Sequence, residues 1–242
     1  TVNDANGKEV RAIETNAKLT EKLSTYVLPS HEFFTFKTSE GIELNGYMLK
    51  PSNFDAAKKY PVVMTQYSGP NSQEVKDEWE MDWHYYLAEL GYVVACVDPR
   101  GTAARGEEFR KCTYMQLGKL ESDDMVEAAR YLGQLPFINK DKIGIWGWSY
   151  GGFMAALCME KGNEVFDTGI SVAPVTNWRF YDTVYTERYM RTPQENPSGY
   201  DDNSPITHAK DIKGNYLLIH GTADDNVHAQ NSYEFAEALV QA

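Results

Sequence analysis

The sequence predicts an α/β protein with a mostly parallel central sheet, helices on both faces and a short β segment in front. Three observations predict it. Short apolar, β-rich runs stand at residues 60–66 (YPVVMTQ) and 92–97 (YVVACV), the pattern of strands buried on both faces, and further strands read at 142–146, 168–172 and 216–220. Segments of helical period separate them, and strict alternation of the two element types favours parallel strands joined by crossover helices. The chain has 242 residues, 42% hydrophobic and 24% charged. That is enough for one substantial core and excludes a disordered or fibrous chain.

In chain order, residues 32–38 and 42–50 read as a hairpin turning at Ser39-Glu40-Gly41. A strand at 60–66 follows, then a helix over 79–90 stopped by Gly91, then the strand at 92–97. Residues 122–132 form a helix with Ser122 as N-cap and Met125, Val126, Ala129 and Leu132 on one face. A strand at 142–146 leads into a helix of small and apolar residues at 152–159. Strands at 168–172 and 216–220 come next, and the chain closes with an amphipathic helix over 231–242 carrying Tyr233, Phe235, Ala236 and Leu239. No repeat is present. The chain starts without Met or a targeting pattern and ends without a helix stop signal, so both ends read as cuts in a longer protein, before a last helix and strand.

Composition removes several function classes. A net charge of −12 argues against nucleic acid, which rewards a basic stripe. The longest apolar stretch, residues 92–97, is too short to span a bilayer. Cys96, Cys112 and Cys158 are odd in number and widely spaced, so Cys96 and Cys158 are expected to be buried free thiols. There is no His-Glu-x-x-His, no phosphate-binding glycine pattern and no zinc spacing, and no metal or cofactor is expected. Sixteen Tyr and five Trp raise the aromatic share to 13%, which asks for a use.

Gly147-Trp148-Ser149-Tyr150-Gly151 supplies the chemistry. It fits G-x-S-x-G, with a strand running in and a helix running out, the context of an α/β-hydrolase nucleophile. The tight turn needs glycine at both flanks, because a Cβ there would strike the neighbouring strand and helix. It leaves the Ser149 hydroxyl at a helix N-terminus, where backbone N–H groups favour developing negative charge. A serine hydroxyl needs a base, and in this fold class the partners follow in the order Ser, acid, His. The acid belongs after a late strand, which points to Asp224 or Asp225 in the loop after residues 216–220, with Asp224 preferred. The histidine should follow a further helix and strand. All five histidines, His31, His84, His208, His220 and His228, precede that point. His228, four residues past Asp224, is too close to turn back onto Ser149 in the usual topology.

Trp178, Tyr181 and Tyr185 are spaced i, i+3, i+7, which would set them on one face of a helix. Such a stripe is either core packing or a flat aromatic box able to hold a pyrrolidine ring.

GWSYGGF (147–153), VYTERYM (184–190) and HGTADDNVH (220–228) together resemble the catalytic domain of the prolyl oligopeptidase family, on its dipeptidyl peptidase IV branch. The resemblance runs from about Tyr47 to Ala242. Asp98-Pro99-Arg100-Gly101 is similar to the family's D-x-R-G loop, and residues 1 to about 29 resemble the last strands of its β-propeller. The implied division is a propeller end and linker over 1–30 and an α/β-hydrolase domain over 31–242. Lack of an N-x-[ST] sequon and divergence outside the motifs point to a bacterial member.

The resemblance implies a serine exopeptidase that releases an N-terminal dipeptide after a penultimate proline, less readily alanine. It assigns Ser149 as nucleophile and Asp224 as acid. The Tyr67 hydroxyl and the Tyr150 N–H become the oxyanion donors. Tyr150, Val175, Trp178, Tyr181, Tyr185 and Val227 would line the proline pocket, and Asn226 would hold the carbonyl beside the scissile residue. Tyr67 is identified by the resemblance alone. The implied partners are a peptide substrate and a second copy through this domain, and the implied location is periplasmic, cell-surface or secreted. Two departures stand out: the triad histidine is absent from these residues, and so is the propeller whose acidic residues hold the substrate's amino group. Loss of a triad histidine can cost about 10⁶ in kcat, so the 242 residues alone are expected to be nearly inactive. Related tripeptidyl or acylaminoacyl peptidases, an esterase, and a non-catalytic binding module are the competing readings.

Overall fold

The computed structural model describes residues 1–242. The chain opens with an antiparallel pair, β1 (Val2–Asn3) and β2 (Glu9–Arg11), and helix α1 (Ala17–Leu23). Every residue from 1 to 28 except Leu23 is exposed.

Seven further strands make one sheet. These are β3 (Ser30–Lys37), β4 (Glu43–Lys50), β5 (Tyr60–Thr65), β6 (Val93–Asp98), β7 (Ile138–Trp148), β8 (Thr168–Val172) and β9 (Asn215–Ile219), in the spatial order β3-β4-β6-β5-β7-β8-β9. The hairpin β3–β4 and the pair β4–β6 are antiparallel. From β6 to β9 every pairing is parallel. This is the expected α/β-hydrolase arrangement.

Between the strands lie α2 (Trp83–Glu89), α3 (Glu107–Lys111), α4 (Lys119–Gln134), α5 (Tyr150–Lys161), α6 (Thr183–Met190), α7 (Pro197–Asp201), α8 (Pro205–His208) and α9 (Gln230–Gln241). The strand period of two sorts the core. Val93, Ala95 and Val97 pack with the α4 and α5 residues Met125, Leu132, Phe153 and Leu157. Val94 and Leu49 turn to the other face, against Ala88 of α2. No helix is long and apolar enough to cross a membrane. Cys96 and Cys158 are buried and all three cysteines are free.

Three elements differ from expectation. The helix expected over 79–90 forms only at α2, because the Asp82 carboxylate accepts from His84 N–H at 2.9 Å and caps it there. Helix α4 starts three residues before Ser122. Gly118, at φ 87°, sets its start, and a Cβ at Gly118 would strike the ends of Phe153 and Leu157 on the packed helix α5. Ser122 is therefore no cap: it lies buried inside the first turn, donating to the Gly118 carbonyl. Trp178, Tyr181 and Tyr185 do not share one helix. Trp178 lies in a 3₁₀ turn, Tyr181 is extended at φ −110°, and Tyr185 lies in α6. Asp182 starts α6 by accepting from Tyr185 N–H at 2.8 Å, which breaks the helical path between them.

Candidate active site

Parallel pairing brings the C-terminal ends of β5, β7, β8 and β9 to one edge of the sheet. Thr65 pairs with Trp146, Trp148 with Val172, and Val172 with Ile219. The loops that follow therefore converge there, the usual place for a site in an open α/β sheet. They carry Tyr67, Ser149, Val175 to Tyr181, and His220 to Val227. Residues up to 160 positions apart in the chain, Tyr67 and Val227, come to this edge because the strands beneath them lie in one sheet.

Ser149 sits between β7 and α5 at φ 58°, ψ −114°, a strained conformation for a residue with a side chain. Its N–H donates to the Val172 carbonyl at 2.9 Å, and its carbonyl accepts from Phe153 N–H at 3.0 Å. The glycines flanking it are sterically required. A Cβ on Gly147 would strike the Gly151 backbone, and one on Gly151 would lie 2.5 Å from the Gln66 carbonyl. Tyr150 begins α5, so its N–H has no carbonyl one turn earlier to receive it.

Tyr67 belongs to the loop after β5, held against the serine turn by a residue that sequence reading missed. The Gln66 amide donates to the Gly151 carbonyl at 2.8 Å and its oxygen accepts from the Ser68 hydroxyl at 2.9 Å. The Tyr67 and Tyr150 ring centroids are 6.1 Å apart. Tyr67 stays exposed at 37%. Its hydroxyl is pushed above the ordinary phenol value, first by burial and then by neighbouring Tyr181. It therefore stays a protonated donor at neutral pH.

In the loop after β9, Asp224 Oδ1 accepts from the N–H groups of Asn226 and Val227, each at 3.0 Å. The other oxygen, Oδ2, lies 3.6 Å from His220 Nε2. His220 is a clamp. Its Nδ1 meets the Ser232 hydroxyl at 2.6 Å and its Nε2 meets the Val227 carbonyl at 2.7 Å, tying the loop to α9. A histidine at the end of an apolar strand gave no sequence signal for this role. His220→Leu would leave both partners unsatisfied and is expected to cost about 1–3 kcal/mol of stability. Urea unfolding of the full-length protein checks it, and an unchanged midpoint would count against the clamp.

Although the helix uniting Trp178, Tyr181 and Tyr185 is absent, their rings still converge. Trp178 and Tyr185 stack at 5.8 Å, and Tyr181 stands edge-on to both, at 5.9 Å and 5.4 Å. Tyr150 closes the group at 5.5 Å from Trp178. Val175 and Val227 belong to the same cluster, with Tyr181 and Tyr185 only partly buried at its border. The Asn226 side chain accepts from the Tyr181 hydroxyl at 2.8 Å, which joins the loop after β9 to this aromatic group. Asp225 and His228 line a neighbouring cleft of about 430 Å³ with Tyr181 and Asn226.

Two further carboxylates were missed. Glu121 of α4 is fully buried with Oε1 2.7 Å from the Tyr150 hydroxyl, and burial pushes its carboxyl up to about 7. Asp124, one turn on, takes the Arg100 side chain of the Asp98–Gly101 loop. Both are buried acidic residues of α4, a placement that is tolerated only with a partner.

The arrangement can be compared with known proteins. The family model described as "Prolyl oligopeptidase family" matches residues 79–242. The chain belongs to the prolyl oligopeptidase family. Among solved structures it is similar to dipeptidyl peptidase 4 of Porphyromonas gingivalis, with 56% identity and a TM-score of 0.91 over 98% of this chain and 34% of that one. A putative dipeptidyl aminopeptidase IV of Bacteroides ovatus gives 38% identity and a TM-score of 0.87 over 90% of this chain and 32% of that one. It is also 44% identical to a probable dipeptidyl-aminopeptidase B of Metarhizium robertsii, over 95% of this chain and 25% of that protein. For dipeptidyl peptidase 4 of Trichophyton equinum the figures are 45%, 96% and 31%. This prolyl oligopeptidase family chain thus spans about a quarter to a third of the length of such relatives.

Proposed function

We propose that this chain is the catalytic portion of a serine exopeptidase that releases N-terminal Xaa-Pro dipeptides, less readily Xaa-Ala. The observation that carries the reading is the position of the aromatic group: its Tyr150 wall is the residue next to Ser149. A ring bound there lies beside the serine hydroxyl. The names of similar relatives, dipeptidyl peptidases from bacteria and fungi, support the same reading.

In this reading the Ser149 hydroxyl attacks the carbonyl carbon after the proline and gives its proton to a histidine base. The Tyr150 N–H and the Tyr67 hydroxyl donate to the oxygen as it becomes negative. The base returns the proton to the leaving amine, and water then releases the dipeptide from the acyl-enzyme. Asp224 orients the base. Val175, Trp178, Tyr181, Tyr185 and Val227 take the proline ring, and Asn226 the preceding carbonyl. None of the five histidines hydrogen-bonds to Ser149, and His228, four residues past Asp224, is too close to turn back onto it in the usual topology, so the base is proposed to come from outside these 242 residues, which alone would be nearly inactive. Residues 1–30 are proposed as the end of a preceding β-propeller and residues 31–242 as hydrolase domain; the exposed β1–β2 pair, apart from the main sheet, supports this division. Dimerisation through this domain is part of the proposal.

The test compares Gly-Pro, Ala-Ala-Pro and acetyl-alanyl p-nitroanilides on the full-length protein. Turnover of Gly-Pro well above the other two is expected. Preference for Ala-Ala-Pro would make it a tripeptidyl peptidase, and preference for the blocked substrate an acylaminoacyl peptidase or esterase. No turnover, with Ser149 unreactive to a fluorophosphonate, would make the domain a binding module.

A further inference from the structure

Glu121 stands out among the polar residues of the core. It is fully buried in the first turn of α4, and its Oε2 has no hydrogen-bond partner. Desolvating a carboxyl is costly, and an apolar residue of similar size would fill the same space without that cost. The single hydrogen bond it makes runs across the core to the Tyr150 hydroxyl at 2.7 Å.

Tyr150 is a demanding residue to hold. Its ring touches Phe153 at 5.3 Å, Trp178 at 5.5 Å and Tyr67 at 6.1 Å, and its backbone directly follows Ser149. One side chain thus sets two things at once: the wall of the aromatic group and the direction of the amide beside the serine. Nothing else in the structure holds its hydroxyl. An edge-on and tilted aromatic packing constrains a ring weakly against sliding along its own plane, whereas a hydrogen bond at the far end of the ring stops that motion.

We propose that Glu121 is a positioning residue for the acyl-transfer reaction, acting through the Tyr150 hydroxyl on both the proline-binding wall and the amide that receives the oxyanion. This rests on the exopeptidase reading above. Because the carboxyl titrates near neutrality under burial, its charged form, the stronger acceptor, is accessible at working pH. Tyr150 is its partner on α5 and Tyr185 on α6 faces the same space; the backbone of Glu121 itself and of Gly118 at the start of α4, Lys161 of α5 and the Cys112 thiol are further polar influences.

The experiment uses the full-length protein with Gly-Pro and Gly-Ala p-nitroanilides, and a fluorophosphonate probe that reads Ser149 reactivity without any choice of substrate. Glu121→Leu fills the volume without an acceptor, Glu121→Gln keeps one, and Tyr150→Phe removes the donor while keeping the ring. Loss of a hydrogen bond of this kind corresponds to about a 10- to 100-fold change. Glu121→Leu and Tyr150→Phe are each expected to lower kcat/KM for Gly-Pro by that factor. Both should reduce the preference for proline over alanine and slow the labelling of Ser149. Glu121→Gln should restore most of the rate, and the double variant Glu121→Leu/Tyr150→Phe should be no worse than the poorer single one. Wild-type rates and proline preference in Tyr150→Phe would overturn the proposal, even if Glu121→Leu failed to fold. Should the wild-type protein cleave neither substrate, the exopeptidase reading fails by itself. The labelling rates would still decide the role of Glu121.

Discussion

Ser149→Ala in the full-length protein is expected to lower kcat toward Gly-Pro p-nitroanilide by about 10⁶ and to abolish the fluorophosphonate adduct. The magnitude follows from the division of labour in such a site. Removing the nucleophile leaves binding and oxyanion donors intact, which typically retain about 10³–10⁴ over the uncatalysed reaction. The change is clean in this fold. Alanine keeps the Cβ, so the strained backbone at φ 58° is no worse accommodated, and its two backbone hydrogen bonds do not involve the hydroxyl. The aromatic group is untouched, so KM should stay close to that of wild type. Asp224→Asn is expected to cost less, about 10⁴, while Asn226 and Val227 N–H groups still find an oxygen acceptor. Retention of more than a few per cent of the wild-type kcat by Ser149→Ala, in a preparation free of wild-type enzyme, would remove Ser149 from the mechanism.

The second large effect concerns stability. Asp124, with only 1% of its side chain exposed, accepts from Arg100 through Nε and Nη2 at 2.7–3.0 Å and from the Arg100 N–H at 2.8 Å. Arg100 also reaches Glu40 in the β3–β4 turn at 2.7 Å. Burial works against the guanidinium charge, but its two carboxylate partners outweigh that and hold its pKa above the ordinary value. Asp124→Ala leaves a largely buried cation with an exposed partner only, and is expected to cost about 3–5 kcal/mol. The loss is read as the shift of a urea unfolding midpoint at constant slope. Arg100→Met/Asp124→Leu should recover much of it, because the desolvation cost of both charges disappears together. A loss in the double variant equal to the sum of the single ones would mean that the pair is not coupled. Activity should suffer as well. The Gly101 carbonyl accepts from Asn71 N–H at 3.0 Å, and the Ser72 carbonyl accepts from Ala103 N–H at 2.7 Å. Slack in the Arg100 loop is thereby passed to the loop carrying Tyr67.

The elements that were legible share one property: a short window decides them. The run at 168–172 became β8 at the expected residues, because Thr168, Ile170 and Val172 are β-branched and Pro174 follows to stop the strand. The Gly147–Gly151 turn was equally legible, since a Cβ at either flank has nowhere to go. Window reasoning failed at residues 178–185, where spacing suited a helix but the Asp182 cap restarts the chain direction. It failed again at Ser122, a good cap by residue type that lies inside a helix started by Gly118.

By itself, the sequence determined the central strands and the strained serine turn, because each is set by a local apolar run or by a glycine that sterics require. The tertiary structure alone decided which of these residues support one another. Gln66 reaches Gly151, Glu121 reaches Tyr150, and Arg100 reaches Asp124 across separations of 85, 29 and 24 residues. Such pairs are selected by strand order and helix packing, and no local window holds both partners. A buried carboxyl is tolerable only when its partner arrives from elsewhere in the fold, which is why nothing in the residues around Glu121 announced its burial.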